Sequence, residues 1–143
     1  MVKDSETGVL HSFDFNNLLI NIPELKLLDC TIQTISFDEQ IDSSNINPNY
    51  WIQIAEINDS NYDTCDGFVV LHGSDTMSYS ASALSFMLEN LYKPVIFTGS
   101  QLPIGDLRTD AKENLITSIQ VASLRENNKP VIKEVGLYFE YKL

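Results

Sequence analysis

Two short apolar runs on either side of an amphipathic segment are the feature that most constrains the fold of this chain. The first run covers Phe68 to Leu71, and the second covers Pro94 to Phe97. Between them, four apolar residues recur at the spacing of one helix face: Leu84, Met87, Leu88 and Leu91. Both runs are continuous, which is typical of parallel strands that helices cover on both faces. The pattern predicts a βαβ unit with a right-handed crossover.

The sequence after this unit predicts one more helix and one more strand. The helix runs from about Asp110 to Leu124, and the strand from Val135 to Tyr141. The predicted inward face of the helix has four residues: Leu115, Ile116, Ile119 and Ala122. Together with the βαβ unit, these elements predict the α/β class, with a doubly wound, mainly parallel sheet and helices on both faces.

The sequence before the unit predicts three elements. Asn47-Pro48 supplies an N-cap and a first-turn proline for a helix that carries Trp51, Ile54 and Ala55 on one face. The segment from Leu25 to Phe37 alternates roughly in polarity and is predicted to be a strand of the sheet. Ser12 or Asp14 is predicted to cap a short helix that stops near Pro23.

Charge and composition exclude several classes of partner. The 143 residues are 43% hydrophobic, enough for one domain with its own core, and contain 9 Lys and Arg against 20 Asp and Glu. A net charge of -11 repels nucleic acid and anionic membranes. No apolar stretch approaches the roughly 20 residues of a spanning helix, and the polar start is unlike an export signal. The expected location is cytoplasmic.

Two cysteines and two histidines in no ligand spacing imply neither a metal nor another cofactor.

Polar loops follow the two predicted parallel strands. They are His72 to Thr76 and Thr98 to Gln101, each with a glycine close to the strand end. Because ligands bind beyond the carboxyl ends of parallel strands, we expect these loops to lie side by side and to form a site. Taken alone, Ser74, Asp75 and Thr76 fit simple helix caps better than a site, because caps are common and sites are few. A Ser-His-Asp triad within the first loop is disfavoured, since residues adjacent in sequence rarely form the required chain of hydrogen bonds.

At these positions the sequence resembles a known family. The string GFVVLHGSDTMSYSASALSFMLENLYKPVIFTGSQLP, from Gly67 to Pro103, is similar to the cytoplasmic-type L-asparaginases, whose HGTDT box corresponds to residues 72–76. The similarity extends through Asp42-Ser43-Ser44 and Trp51 on one side. On the other side it extends through Arg108-Thr109-Asp110 and Asn114-Leu115.

The resemblance implies hydrolysis of L-asparagine to aspartate and ammonia through a Thr acyl-enzyme, without a cofactor. Ser74 corresponds to a catalytic Thr of the family and keeps the hydroxyl, so we expect reduced or retuned activity but the same reaction. Asp75 corresponds to the residue that holds the substrate ammonium. Asp42, Ser43 and Ser44 correspond to a turn that binds the α-carboxylate and α-amine, and Ser100 to a residue near the side-chain amide. Without the resemblance, residues 42–44 fit an Asx or Ser turn equally well.

Other parts of the family pattern are missing from the 143 residues. They contain no TGGTI, the motif of the nucleophilic Thr, and Val9 stands where many members have Tyr. We therefore expect residues 1–143 to be a partial amino-terminal α/β domain that lacks its first strand, the catalytic Lys and the carboxy-terminal domain. Alone, it is expected to be inactive. The resemblance implies a homo-oligomer, a dimer or tetramer, for the complete protein. Two alternatives remain: a glutaminase-leaning amidase and a non-catalytic amino-acid-binding domain. A relative that acts on amidated tRNA is disfavoured by the acidic composition.

Overall fold

The computed structural model describes residues 22–38 and 41–143, together with two short strands at β1 (Val2–Lys3) and β2 (Leu10–His11) that pair antiparallel. The described residues contain three α-helices, in chain order α1 (Pro48–Asn61), α2 (Met77–Met87) and α3 (Ala111–Ser123), and 3₁₀ helices at Pro23–Leu27 and Ser43–Asn45. The remaining strands are β3 (Phe68–Leu71), β4 (Val95–Thr98), β5 (Arg125–Glu126), β6 (Lys129–Pro130) and β7 (Val135–Leu137). No helix in the described part of the chain is both long enough and apolar enough to cross a membrane.

The main sheet has three parallel strands in the order β3-β4-β7. Successive residues of the buried central strand point to opposite faces. Val95 and Phe97 of β4 pack in one cluster with residues of α1 and α2, whereas Ile96 packs with Ala122 of α3. Helices therefore cover both faces of the sheet. The predicted βαβ unit and the doubly wound α/β class are confirmed.

Local signals place α1 as predicted. The Asn47 side chain accepts a hydrogen bond from the Asn49 N–H at 3.0 Å, and Pro48 occupies the first turn. Ile54 is buried in the core, and Trp51 and Ala55 pack against it. The face predicted for this helix is therefore confirmed.

Helix α2 is shorter than its apolar pattern suggests. It ends at Met87, whose side chain is 40% exposed, although Leu88 and Leu91 still reach the core after the helix has stopped. The last predicted strand is also shorter, since β7 ends at Leu137. In contrast, α3 agrees closely with its predicted bounds.

The predicted strand from Leu25 to Phe37 is wrong. Pro23 begins a 3₁₀ helix, Pro23–Leu27, and residues 31–37 form no regular structure. Leu25 packs with Ile22 against Leu115 and Ile119 of α3, and Leu28 packs beside it. These apolar residues therefore recur at a spacing of three, which fits one side of a tight helical turn rather than a strand. The helix predicted from Ser12 or Asp14 lies outside the described residues.

A β-hairpin between α3 and β7 was not predicted. Strands β5 and β6 pair antiparallel across Asn127 and Asn128, whose φ angles are 50° and 61°. Two successive positive φ angles are typical of a type I′ turn, and Asn tolerates them better than most residues.

Candidate active site

Two polar loops lie side by side at the carboxyl edge of the sheet, as predicted. Leu71 at the end of β3 pairs with Thr98 at the end of β4, and the His72 N–H donates to the Thr98 carbonyl at 2.9 Å. Gly99 passes so close to the His72 carbonyl oxygen that a Cβ atom would overlap it. The absence of a side chain at this glycine therefore allows the loops to leave the sheet in contact.

The turn of Asp42, Ser43 and Ser44 rests on the first of these loops. The buried Ser43 side chain packs directly against Gly73, in space that a side chain at residue 73 would fill. The Ser43 hydroxyl donates to Asp75 Oδ2 at 3.4 Å, and the Thr76 hydroxyl donates to the Ser43 carbonyl at 2.6 Å. Two segments more than thirty residues apart in sequence thus form one surface.

Asp42 orders the turn itself. Its carboxylate accepts from the Ser44 N–H at 2.9 Å and from the Ser44 hydroxyl at 2.8 Å. These two bonds lower the pKa of the Asp42 carboxyl, the backbone bond more strongly. The prediction of an Asx turn is confirmed, and it is compatible with ligand binding because Asp42 and Ser44 remain exposed.

The capping interpretation of residues 74–76 is wrong in its simplest form. Helix α2 begins at Met77, and Thr76 at its N-cap position makes no side-chain capping bond. Its hydroxyl bonds to Ser43 instead. Ser74 and Asp75 precede the helix, so their side chains are displayed by the loop.

His72 belongs to a network below the loop that the sequence did not predict. Trp51 Nε1 donates to the Ser80 hydroxyl at 2.9 Å, and His72 Nε2 lies 2.8 Å from the same oxygen. If Ser80 in turn donates to Nε2, the proton of the neutral imidazole is on Nδ1, which lies 2.7 Å from the Gly73 carbonyl. Burial lowers the pKa of His72, opposed by the bond to Gly73. Since His72 faces Ser80, a triad with Ser74 is not formed.

The second loop is held by residues at the start of α3. The Asp110 carboxylate accepts from the backbone N–H groups of Gln101 and Leu102, and Asn114 Nδ2 donates to the Gly99 carbonyl at 2.9 Å. Ser100 lies between these anchored residues and is half-buried. The sequence predicted Asp110 as the start of a helix, and Asn114 as part of the resemblance, but it did not predict their contacts with the preceding loop. Local spacing does not show which loop a helix terminus contacts.

The structure therefore brings the predicted residues to one edge of the sheet, with Ser43 and Asp75 in direct contact. Ser74 is half-buried, and its hydroxyl has no hydrogen-bond partner within residues 22–38 and 41–143. The same described ranges contain no cluster of three His, Cys, Asp or Glu residues placed to hold a metal ion. The arrangement offers exposed carboxylates, hydroxyls and backbone groups to a small polar ligand.

Fold and site together define a doubly wound α/β domain of the class that binds small ligands beyond the carboxyl ends of its strands. Residues 1–143 match the family described as Asparaginase, N-terminal. The chain belongs to the asparaginase family.

Relatives and solved structures agree with this assignment. L-asparaginase 1 of Escherichia coli strain K12 is 54% identical over 103 residues, which cover 72% of this chain and 29% of that protein. The 60 kDa lysophospholipase of Mus musculus is 38% identical over 145 residues, covering 100% of this chain and 24% of that protein. The crystal structure of L-asparaginase I from Vibrio cholerae superposes with a TM-score of 0.80 at 44% identity, covering 96% of this chain and 41% of that one. The chain thus spans well under half the length of these relatives.

Proposed function

We propose that the protein carrying this chain is an amidohydrolase that converts L-asparagine and water to L-aspartate and ammonia. The contact between the Ser43 hydroxyl and Asp75 is the observation that carries this proposal. It joins the two segments whose functional groups suit the two charged ends of an α-amino acid. An amino acid bound between these segments would make charge-assisted hydrogen bonds at both ends, which are stronger than neutral ones and fix its orientation.

The proposed roles follow from chemistry and exposure. Asp75 is exposed and holds the substrate α-ammonium. The Ser43 and Ser44 hydroxyls, which donate to Asp75 and Asp42 without substrate, turn to the α-carboxylate when substrate binds. The carboxylates of Asp42 and Asp75 keep this edge anionic, which favours the ammonium end at Asp75. Ser74 and Ser100, on adjacent loops, lie at the side-chain amide.

The proposed reaction has two steps. A Thr hydroxyl attacks the amide carbon, the C–N bond breaks, and the nitrogen leaves as ammonia with a transferred proton. Water then hydrolyses the acyl-enzyme, releasing aspartate and restoring the Thr hydroxyl. Because the 143 residues contain no TGGTI, we place the attacking Thr outside them and propose that they do not turn over asparagine alone.

The other parts of the proposal concern the whole protein. Residues 1–143 would be part of an amino-terminal domain, and the protein would work in the cytoplasm as a homo-oligomer. No cofactor takes part in the proposed steps, since hydroxyl, carboxylate and amide groups carry them.

The test measures ammonia release from L-asparagine and L-glutamine by the protein that carries this chain. Saturable release from asparagine supports the proposal, and none above a no-enzyme control refutes it. Asp75→Asn removes the charge that holds the ammonium and should raise KM by about ten- to a hundredfold, since each tenfold change corresponds to about 1.4 kcal/mol. Asp59→Asn, an exposed carboxylate on α1, is the matched control and should leave KM unchanged.

A second candidate function is amino-acid binding without catalysis. It is favoured by the presence of Asp42, Ser43, Ser44 and Asp75 in a sequence without TGGTI. Calorimetry with L-aspartate, combined with the ammonia assay, separates the two candidates, since an asparaginase also binds its product. Binding that is lost in Asp75→Asn, combined with no ammonia release, would establish the binding function instead.

A further inference from the structure

The carboxylate of Asp110 is directed away from the helix that it precedes. Asp110 occupies the N-cap position of α3 but makes no side-chain capping bond there. Its oxygens accept instead from the Gln101 N–H at 2.9 and 3.1 Å and from the Leu102 N–H at 3.1 Å. At the N-terminus of α3 the Thr109 hydroxyl provides the capping contact instead, accepting from the Ala111 N–H at 3.0 Å. An Asp at this position ordinarily stabilises its own helix, so the alternative use needs an explanation.

Asn114, one turn into α3, joins the same loop to a third segment. Its side chain is only 2% exposed, and its Nδ2 donates to the Gly99 carbonyl at 2.9 Å and to Asp110 Oδ2 at 3.1 Å. Its Oδ1 accepts from the Glu140 N–H at 3.2 Å. Glu140 lies in the turn after β7 and has a positive φ of 45°. One buried amide thus connects the ends of two neighbouring strands to the start of a helix.

We propose that Asp110 and Asn114 are positioning residues that fix the loop of Gly99 to Leu102, and with it Ser100, against the substrate amide. This inference rests on the proposed function. The two side chains bond to the loop on both sides of Ser100, at Gly99 and at Gln101 and Leu102. Displacements of about 1 Å at such a position change rates by up to about a hundredfold. Since the side-chain amide of L-glutamine lies one methylene further from the α-carbon than that of L-asparagine, we expect the two substrates to be affected unequally.

The test compares variants by substrate preference, in the protein that carries this chain. Asp110→Ala removes every bond of the carboxylate without removing a helix cap, because Thr109 supplies that function. The ratio of kcat/KM for L-asparagine to that for L-glutamine should change by about fivefold or more. This ratio does not depend on the concentration of active protein, so a loss of stability alone leaves it constant.

Two further variants complete the comparison. Asp110→Asn keeps one acceptor oxygen, should restore part of the parental ratio, and carries the test if Asp110→Ala fails to fold. Ser118→Ala is the matched control, because Ser118 is fully buried on the same helix and its hydroxyl has no partner in the described part of the chain. Its ratio should equal that of the parent. An unchanged ratio in the folded Asp110 variants would overturn the inference.

A second measurement remains decisive if the parent protein releases no ammonia at all, an outcome that refutes the proposed function. Amide hydrogen exchange at Gln101 and Leu102 should accelerate by about tenfold or more in Asp110→Ala, since both are exposed residues whose N–H groups bond to this carboxylate. The N–H of Tyr138, one residue beyond β7, donates to the Phe97 carbonyl and should keep its protection. Retained protection at Gln101 and Leu102 would show that Asp110 does not hold the loop.

Discussion

Gly73→Ala tests whether the contact between the Asp42–Asn45 turn and the His72–Thr76 loop depends on a missing side chain. A Cβ atom at Gly73 would lie 2.6 Å from Ser43 Cβ, whereas carbon atoms in contact are ordinarily about 3.5–4.0 Å apart. The next atom, Ser43 Cα, is already at an ordinary 3.8 Å. The turn must therefore move by about 1 Å.

A movement of this size breaks the bond from the Thr76 hydroxyl to the Ser43 carbonyl, which is now 2.6 Å long. The lost hydrogen bond costs about 1 kcal/mol, and forcing an extra methyl group into a packed contact costs about 1–3 kcal/mol. Replacing Gly by Ala returns about 0.4–1 kcal/mol by restricting the unfolded chain. The free energy of unfolding should therefore fall by about 1–4 kcal/mol.

The assay is urea unfolding of the protein that carries this chain, with two comparison variants. Gly105→Ala is the control, because nothing lies within 4 Å of a Cβ at that position, and it should be neutral or stabilising by up to about 1 kcal/mol. Adding Ser43→Gly to Gly73→Ala removes the overlapping atoms and should recover stability relative to the sum of the two single changes. If Gly73→Ala is as stable as Gly105→Ala, or if the second change gives no recovery, the steric argument is refuted.

Three further predictions concern the first loop and its support. Ser74→Thr introduces the residue that the resemblance implies at this position and should hold or raise kcat for asparagine. A clear drop in kcat would contradict the proposed role. Ser80→Ala should lower the free energy of unfolding by about 1–3 kcal/mol, because it leaves Trp51 Nε1 and His72 Nε2 without their partner. Ser118→Ala is the control: Ser118 is equally buried, its hydroxyl has no partner in the described residues, and its loss should be neutral. Equal free energies of unfolding for the two variants would refute the prediction. His72 should titrate below 6.5 by NMR, since burial lowers its pKa. The unfolded state then binds more protons, so stability should decrease as the pH falls from about 6.5 towards the lowered pKa, and a midpoint above 6.5 would contradict this.

The central part of the fold was predictable because its signals are local. Continuous apolar runs at β3 and β4, an Asn-Pro start at α1 and helical spacing in α3 each identify an element from fewer than fifteen residues. The prediction of a strand from Leu25 to Phe37 was wrong because the structure of this segment depends on a distant contact. Its alternation is weak, and the partner that decides its structure is α3, more than seventy residues away in the sequence. A rough period of two cannot distinguish a strand from a 3₁₀ turn that packs one side on a helix.

In the candidate site, too, the position of the loops was predictable from the sequence, whereas the hydrogen-bond partners of individual side chains were not. Topology alone predicted that the loops after β3 and β4 would meet, since adjacent parallel strands end at one edge. It could not predict that Thr76 would bond to the Ser43 carbonyl rather than cap α2, or that Asp110 would bond to the loop before it rather than cap α3. In both cases a residue suited to capping has been used to tie a neighbouring segment to the edge of the sheet. At both helix N-termini, therefore, a side chain that does not cap its own helix is engaged in a tertiary contact with a neighbouring polar segment.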